Sequence, residues 1–179
     1  MVALQISVAV LLFGFSAMVV IAARLSARVA ALEAKVSPDA SLIGSLLLSF
    51  TGHCAINDAA VHSRDLLGRN TVLVFLSSGC PDCTKKRDVL IDLLPGLSAS
   101  DVAFWIIPAD DVHGVTKIVA GSALESHVLR LPSDVRRQLN PRNMIPSYLF
   151  VDEKGLIVDQ SHMDDDNWLA FVRDINTAG

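Results

Sequence analysis

Cysteine is scarce in this chain, with three in 179 residues, too few for a small scaffold stapled by disulfides. Charge is sparse too, at 19% of residues against about 25% in an average soluble chain. There is no basic excess: 15 Lys and Arg stand against 19 Asp and Glu, a net of −4, which excludes a general nucleic-acid binder. Internal repeats and low-complexity segments are missing, and so is any flavin or nicotinamide fingerprint, so no cofactor is expected. What the chain has in quantity is apolar surface. Hydrophobic residues make up 51% and the mean hydropathy is +0.46, which rules out intrinsic disorder.

Much of that surface lies at the amino terminus. Val2 to Ala23 is a run of 22 residues without a charge. A helix of that length spans about 33 Å, enough for a hydrocarbon core of about 30 Å. A cleaved signal peptide would carry a basic leader, a shorter apolar run and a small-residue cleavage site. Here nothing basic follows Met1 and the run ends in Arg24 and Arg28, so residues 1–23 are expected to be an uncleaved, single-pass membrane anchor. Residues 24–40 read as a helical stalk, with Leu25, Val29, Leu32 and Val36 spaced 4, 3 and 4 before Ser37-Pro38-Asp39 breaks it. Arg24, Arg28 and Lys35 follow the span, and that charge bias by itself favours a cytoplasmic carboxyl-terminal domain.

Residues 41–179 alternate strand and helix. Thr71–Leu76 is a continuous apolar run rich in β-formers, the pattern of a strand buried on both faces. Thr84 to Leu94 has helical spacing and meets Pro95-Gly96, where the helix is expected to stop. Further strands are expected over Val102–Ile107 and Tyr148–Val151, with a turn at Asp152–Gly155 and a hairpin return over Leu156–Val158. Helices are expected over Ser133–Leu139 and Asn167–Ile175, with Asp164–Asp166 a solvated helix start. The order implies an α/β fold with a mixed central sheet flanked by helices.

Cys80-Pro81-Asp82-Cys83 follows the first buried strand directly and opens the next helix. A thiol at a helix amino terminus faces unpaired N–H groups and the positive end of the dipole, both of which favour thiolate. The second thiol, three residues on, is within disulfide reach of the first. Lys85 and Lys86 add positive potential and Asp82 opposes it. These spacings leave other readings open. The pair is also half of a zinc or copper site, but no second C-x-x-C or H-x-x-x-H completes one, so no metal ligand is assigned. Cys54 reads as a buried structural cysteine or as a third redox thiol, and His53, His62, His113, His127 and His162 as surface or loop histidines.

Met144-Ile145-Pro146-Ser147 precedes the strand at Tyr148–Val151, and Asp152-x-x-Gly155 follows it. Together with the C-x-x-C, this run resembles the thioredoxin superfamily over about residues 60–175. The resemblance implies a cis Ile145–Pro146 bond facing Cys80 and Cys83, with the Ile145 backbone pairing to substrate. Pro81 and Asp82 would line the same surface. Within the superfamily the chain resembles the membrane-anchored TlpA/ResA group, through Ser63–Arg69 before the strand and an insertion at about Ala109–Arg130. The anchor, stalk and C-P-x-C are similar to MauD-like accessory proteins of methylamine dehydrogenase maturation. Departures are plain: Val74 stands where thioredoxin has a buried aspartate, Lys86 where ResA-like proteins have a glutamate, and Gly79 where a Trp often precedes the motif. The segment at Phe50–Ala60 also differs.

The function these readings imply is membrane-tethered thiol–disulfide exchange, with protein thiols and disulfides as substrates and a membrane thiol reductase or oxidase as electron partner. The alternatives are a metal-binding chaperone and a catalytically silent subunit of a membrane complex. The resemblance implies a plasma-membrane protein whose redox domain faces the extracytoplasmic side, where disulfides persist, and it is preferred here over the opposing charge bias.

Overall fold

The computed structural model describes residues 41–109 and 112–178. The anchor and stalk expected over residues 1–40 lie outside the described residues, and none of the described helices is long and apolar enough to cross a membrane. In chain order the elements are β1 (Thr51–Cys54), β2 (Ala60–His62), β3 (Thr71–Leu76), α1 (Pro81–Ala99), β4 (Ala103–Pro108), α2 (Val112–Val119), β5 (Leu129–Arg130), α3 (Ser133–Leu139), β6 (Ser147–Val151), β7 (Ile157–His162) and α4 (Asp166–Ala178). Short 3-10 turns stand at Ser63–Leu66 and Ala123–His127.

The main sheet has the order β4-β3-β6-β7, parallel between β3 and β4 and antiparallel elsewhere. All six residues of β3 are buried, as its unbroken apolar run requires. Side chains alternate across a strand, so β3 feeds two cores. Val72, Val74 and Leu76 pack with Leu90, Leu93 and Leu97 of α1 and Trp168 and Ile175 of α4. Leu73 and Phe75 pack on the other face with Leu139 of α3, Leu149, Ile157 and Phe50. A second sheet, β2-β1-β5, runs antiparallel. These three strands were not legible beforehand, because they are only four, three and two residues long and largely lack apolar alternation.

α1 does not stop at Pro95-Gly96 but continues to Ala99. Pro95 removes one helix hydrogen bond, yet buried Leu93 and Leu97 hold the helical repeat across it. Gly96 is required by packing: a Cβ there would lie 2.2 Å from the Ile175 carbonyl oxygen of α4. The hairpin turn forms as expected, with Asp152 Oδ1 accepting from the N–H of Lys154 and of Leu156 and Gly155 at φ +82°. β7, however, extends to His162, beyond the expected Val158. The acidic run before α4 is not simply solvated, since Asp165 caps the helix through the Trp168 N–H at 2.8 Å.

Both edges of the main sheet are partly covered. Leu46 bridges Leu156 antiparallel, outside β7, and Val128 bridges Ile106 of β4 in parallel. Gly44 N–H donates to Ile157 O at 2.8 Å and Ile157 N–H to Ser45 O at 2.9 Å.

Tyr148, the single tyrosine, is buried against Phe150 and Trp168, with ring centroids 4.4 and 5.3 Å away. Its hydroxyl donates to Asp159 Oδ2 at 2.8 Å and to Asp165 at 3.0 Å. Burial first, then these two carboxylates, push its ionisation well above the ordinary tyrosine range.

Two outcomes follow from this packing. Gly96→Ala should destabilise the protein by about 1–3 kcal/mol, measured by urea unfolding followed through tryptophan fluorescence. Tyr148 is protonated in the fold and ionises in the unfolded chain above about pH 10, so stability falls as pH rises past that point. In an alkaline titration the tyrosinate absorbance should therefore appear together with unfolding and not before it.

Candidate active site

β3 ends at Leu76, and residues 77–79 turn the chain into α1. Cys80 takes the N-cap position in extended conformation, φ −103° and ψ 110°, and Pro81 takes the first helical position, where its missing N–H is no loss. Cys80 Sγ accepts a hydrogen bond from the Cys83 N–H at 3.2 Å, the part that Ser or Asp ordinarily plays at a helix start. The sulfur thereby sits at the positive end of the α1 dipole. Cys80 is half-buried and Cys83 fully buried. Cys80 is the more exposed residue of the two.

The second half of the site comes from β6. Phe75 pairs with Ser147 across the β3–β6 ladder, which sets the loop before β6 beside the loop after β3. In that loop the Ile145–Pro146 bond is cis. Asn140 clamps it: its Nδ2 donates to Met144 O at 2.8 Å, and its Oδ1 accepts from the Met144 N–H at 3.1 Å. Ser147 Oγ donates to the same carbonyl at 2.7 Å, and the Met163 N–H donates to Pro146 O at 3.2 Å. Ile145 and Cys80 both pack against the apolar cluster that contains Cys83. The Ile145 backbone N–H and C=O have no partner among the described residues. Cys80, Pro81, Asp82, Cys83, Ile145 and Pro146 are thus brought to one end of the sheet.

The charges around the thiols are matched. Lys85 Nζ donates to Asp82 Oδ1 at 2.8 Å. That bond and the lysine charge hold the Asp82 carboxyl below the usual range, with lesser help from His162 and Lys86. In turn Asp82 raises Lys85, and Asp164 and Cys80 contribute in the same direction. Lys86 turns inward, donating to Met163 O at 3.2 Å and pairing with Asp164. His162 Nδ1 stands 3.3 Å from Asp164 Oδ2. Both lysines expected to act on the sulfurs are therefore paired with carboxylates.

Sequence reasoning missed Asp164 and Asn140, and it held His162 only as one of three histidines (with His113 and His127) of which one could flank the site. For His162 a signal existed, since it closes the return strand opposite Ser147, the residue after Pro146. Cys54 is buried in β1, with its thiol donating to Ser126 O at 3.6 Å. His53 pairs with Asp58, and His127 lies tilted against Phe104 with ring centroids 5.8 Å apart. Among the described residues no group of three His, Cys, Asp or Glu stands close enough to hold a metal ion. A groove of about 710 Å³, lined by Ile91, Leu94, Phe104 and Trp105 among others, includes neither active-site cysteine.

No family model matches the chain, and no curated protein matches it. Solved structures do. The thioredoxin domain of a thiol-disulfide oxidoreductase from Bacteroides vulgatus superposes with a TM-score of 0.60 at 20% identity, covering 75% of this chain and 98% of that one. A thiol:disulfide interchange protein of the thioredoxin family from Chlorobium tepidum gives 0.61 at 16% identity, covering 75% and 96%. Copper-bound yeast Sco1 gives 0.55 at 20% identity, covering 73% and 90%. Identities this low establish the fold, which is thioredoxin-like.

The burial difference between the thiols sets an order of reactivity. Brief treatment of the reduced protein with iodoacetamide should modify Cys80 before Cys83 or Cys54, as read by peptide mass spectrometry. Equal labelling of all three would contradict the site described.

Proposed function

We propose that this thioredoxin-like chain is a membrane-tethered thiol–disulfide oxidoreductase acting on protein substrates. The observation that carries the reading is Cys80 Sγ at the start of α1, taking the Cys83 N–H at 3.2 Å, beside the open backbone of Ile145. An extended substrate segment pairs with that backbone, as strands add to an exposed edge. Cys80 thiolate attacks one sulfur of the substrate disulfide; the substrate S–S bond breaks, and the departing sulfur takes a proton. Cys83 then loses its proton and attacks Cys80 Sγ, releasing the second substrate thiol and leaving a Cys80–Cys83 disulfide. Two electrons have passed to the substrate, and a membrane thiol reductase restores the dithiol. Run in reverse, with a membrane oxidase as partner, the same steps insert disulfides.

The tether is the uncharged run at residues 2–23, and the redox domain works on the extracytoplasmic side of the plasma membrane, where such chemistry persists. Anchor, stalk and C-P-x-C support a place near the TlpA/ResA group, with a MauD-like role in maturing a redox enzyme. The fold shared with copper-bound Sco1 is the ground for a second reading, metal carriage by Cys80 and Cys83. It would need a third donor, supplied by a partner or by residues outside those described. Metal analysis of protein purified without added metal separates the two.

Cys80→Ser should reduce disulfide exchange to the rate of the uncatalysed blank. Cys83→Ser should hold substrates as mixed disulfides on Cys80, separable on non-reducing gels and identified by mass spectrometry. Exchange at the parental rate in Cys80→Ser would end this reading.

A further inference from the structure

Lys86 links the two halves of the site through its ammonium group. Lys86 stands one helical turn after Cys83 and so shares its face of α1. Its side chain is only 17% exposed, an unusual depth for lysine, whereas neighbouring Lys85 is 75% exposed. The Lys86 ammonium has two partners, one of them an exposed carboxylate. One is the Met163 carbonyl at 3.2 Å; the other is the Asp164 carboxylate, which His162 Nδ1 also approaches at 3.3 Å. Met163 is fully buried in the apolar cluster that holds Cys83, and its own N–H donates to Pro146 O at 3.2 Å. A continuous chain of contacts therefore runs from α1 through Lys86 and Met163 to the loop at Ile145–Pro146.

We infer that Lys86 is a positioning residue for disulfide exchange, fixing the Ile145–Pro146 loop over Cys80 and Cys83. It touches neither substrate nor reacting sulfur. Its work is to hold the Ile145 backbone where a paired segment presents its disulfide to Cys80. The loss of such a tie weakens substrate engagement more than the bond exchange itself. This inference rests on the thiol-exchange reading above.

The test uses the reduced full-length protein in single turnover against a peptide–glutathione mixed disulfide. The Cys80–Cys83 dithiol becomes a disulfide while peptide thiol and glutathione are released, so electrons balance without another reagent. Lys86→Met keeps the apolar stem and removes the ammonium. Its half-saturating peptide concentration should rise about tenfold, with the limiting rate within about twofold of the parent. Lys86→Arg, which keeps a donor and a charge, should recover most of the loss, and the Met163 amide should exchange with deuterium faster in Lys86→Met than in the parent. An unchanged half-saturation, a loss confined to the limiting rate, or an Arg variant no better than Met would overturn the inference. If the parent itself reduces no mixed disulfide, the thiol-exchange reading falls. Met163 amide protection then decides the tie alone, and equal protection in parent and Lys86→Met overturns it.

Discussion

The pairing register of β3 governs everything else in this domain. β3 lies between β4 and β6 with all six side chains buried, and its two faces serve different cores. A slip of one residue would turn Val72, Val74 and Leu76 toward the space built for Leu73 and Phe75. It would also move the loop that carries Cys80 out of line with the loop that carries Pro146. The thiols and the cis-proline are therefore first brought together by apolar packing, and the polar ties of Asn140 and Lys86 act on a loop already placed there. Chemistry at the end of the sheet inherits its precision from the middle of it.

How much could be read from the chain follows from that division between local and distant causes. β3 and α3 were read at their observed bounds, because a solid apolar run and a Ser-initiated, apolar-spaced heptamer are local signals. The C-x-x-C was legible for the same reason: strand end, N-cap and both thiols fall within a few residues. Pro95 misled, since the packing of Leu97 and Gly96 against α4 outweighs one lost helix hydrogen bond. The cis bond at Pro146 entered only through resemblance to a known fold. The partners of Lys86 were invisible, because Met163 stands 77 positions along the chain and nothing local points to it.

Charge around the site takes a different form from what composition suggested. Lys85 and Lys86 look alike in sequence, a basic pair beside two thiols. In the fold one lies on the surface against Asp82, and the other is largely buried along its stem and reaches an exposed Asp164. Surface pairs of the first kind contribute little and fade with salt. Cys80 thus sits at a helix terminus with locally balanced charge around it.

The bridge between Leu46 and Leu156 has a consequence for the life of the chain during synthesis. Residues 44–47 emerge from the ribosome early, yet their partners at 155–157 are made when most of the domain already exists. Until then the flanking segment has nothing to lie on, and once β7 forms its outer edge is open to any strand nearby. Late in folding this intramolecular strap competes with any neighbouring chain for that edge, and crowding of nascent copies would favour the neighbour.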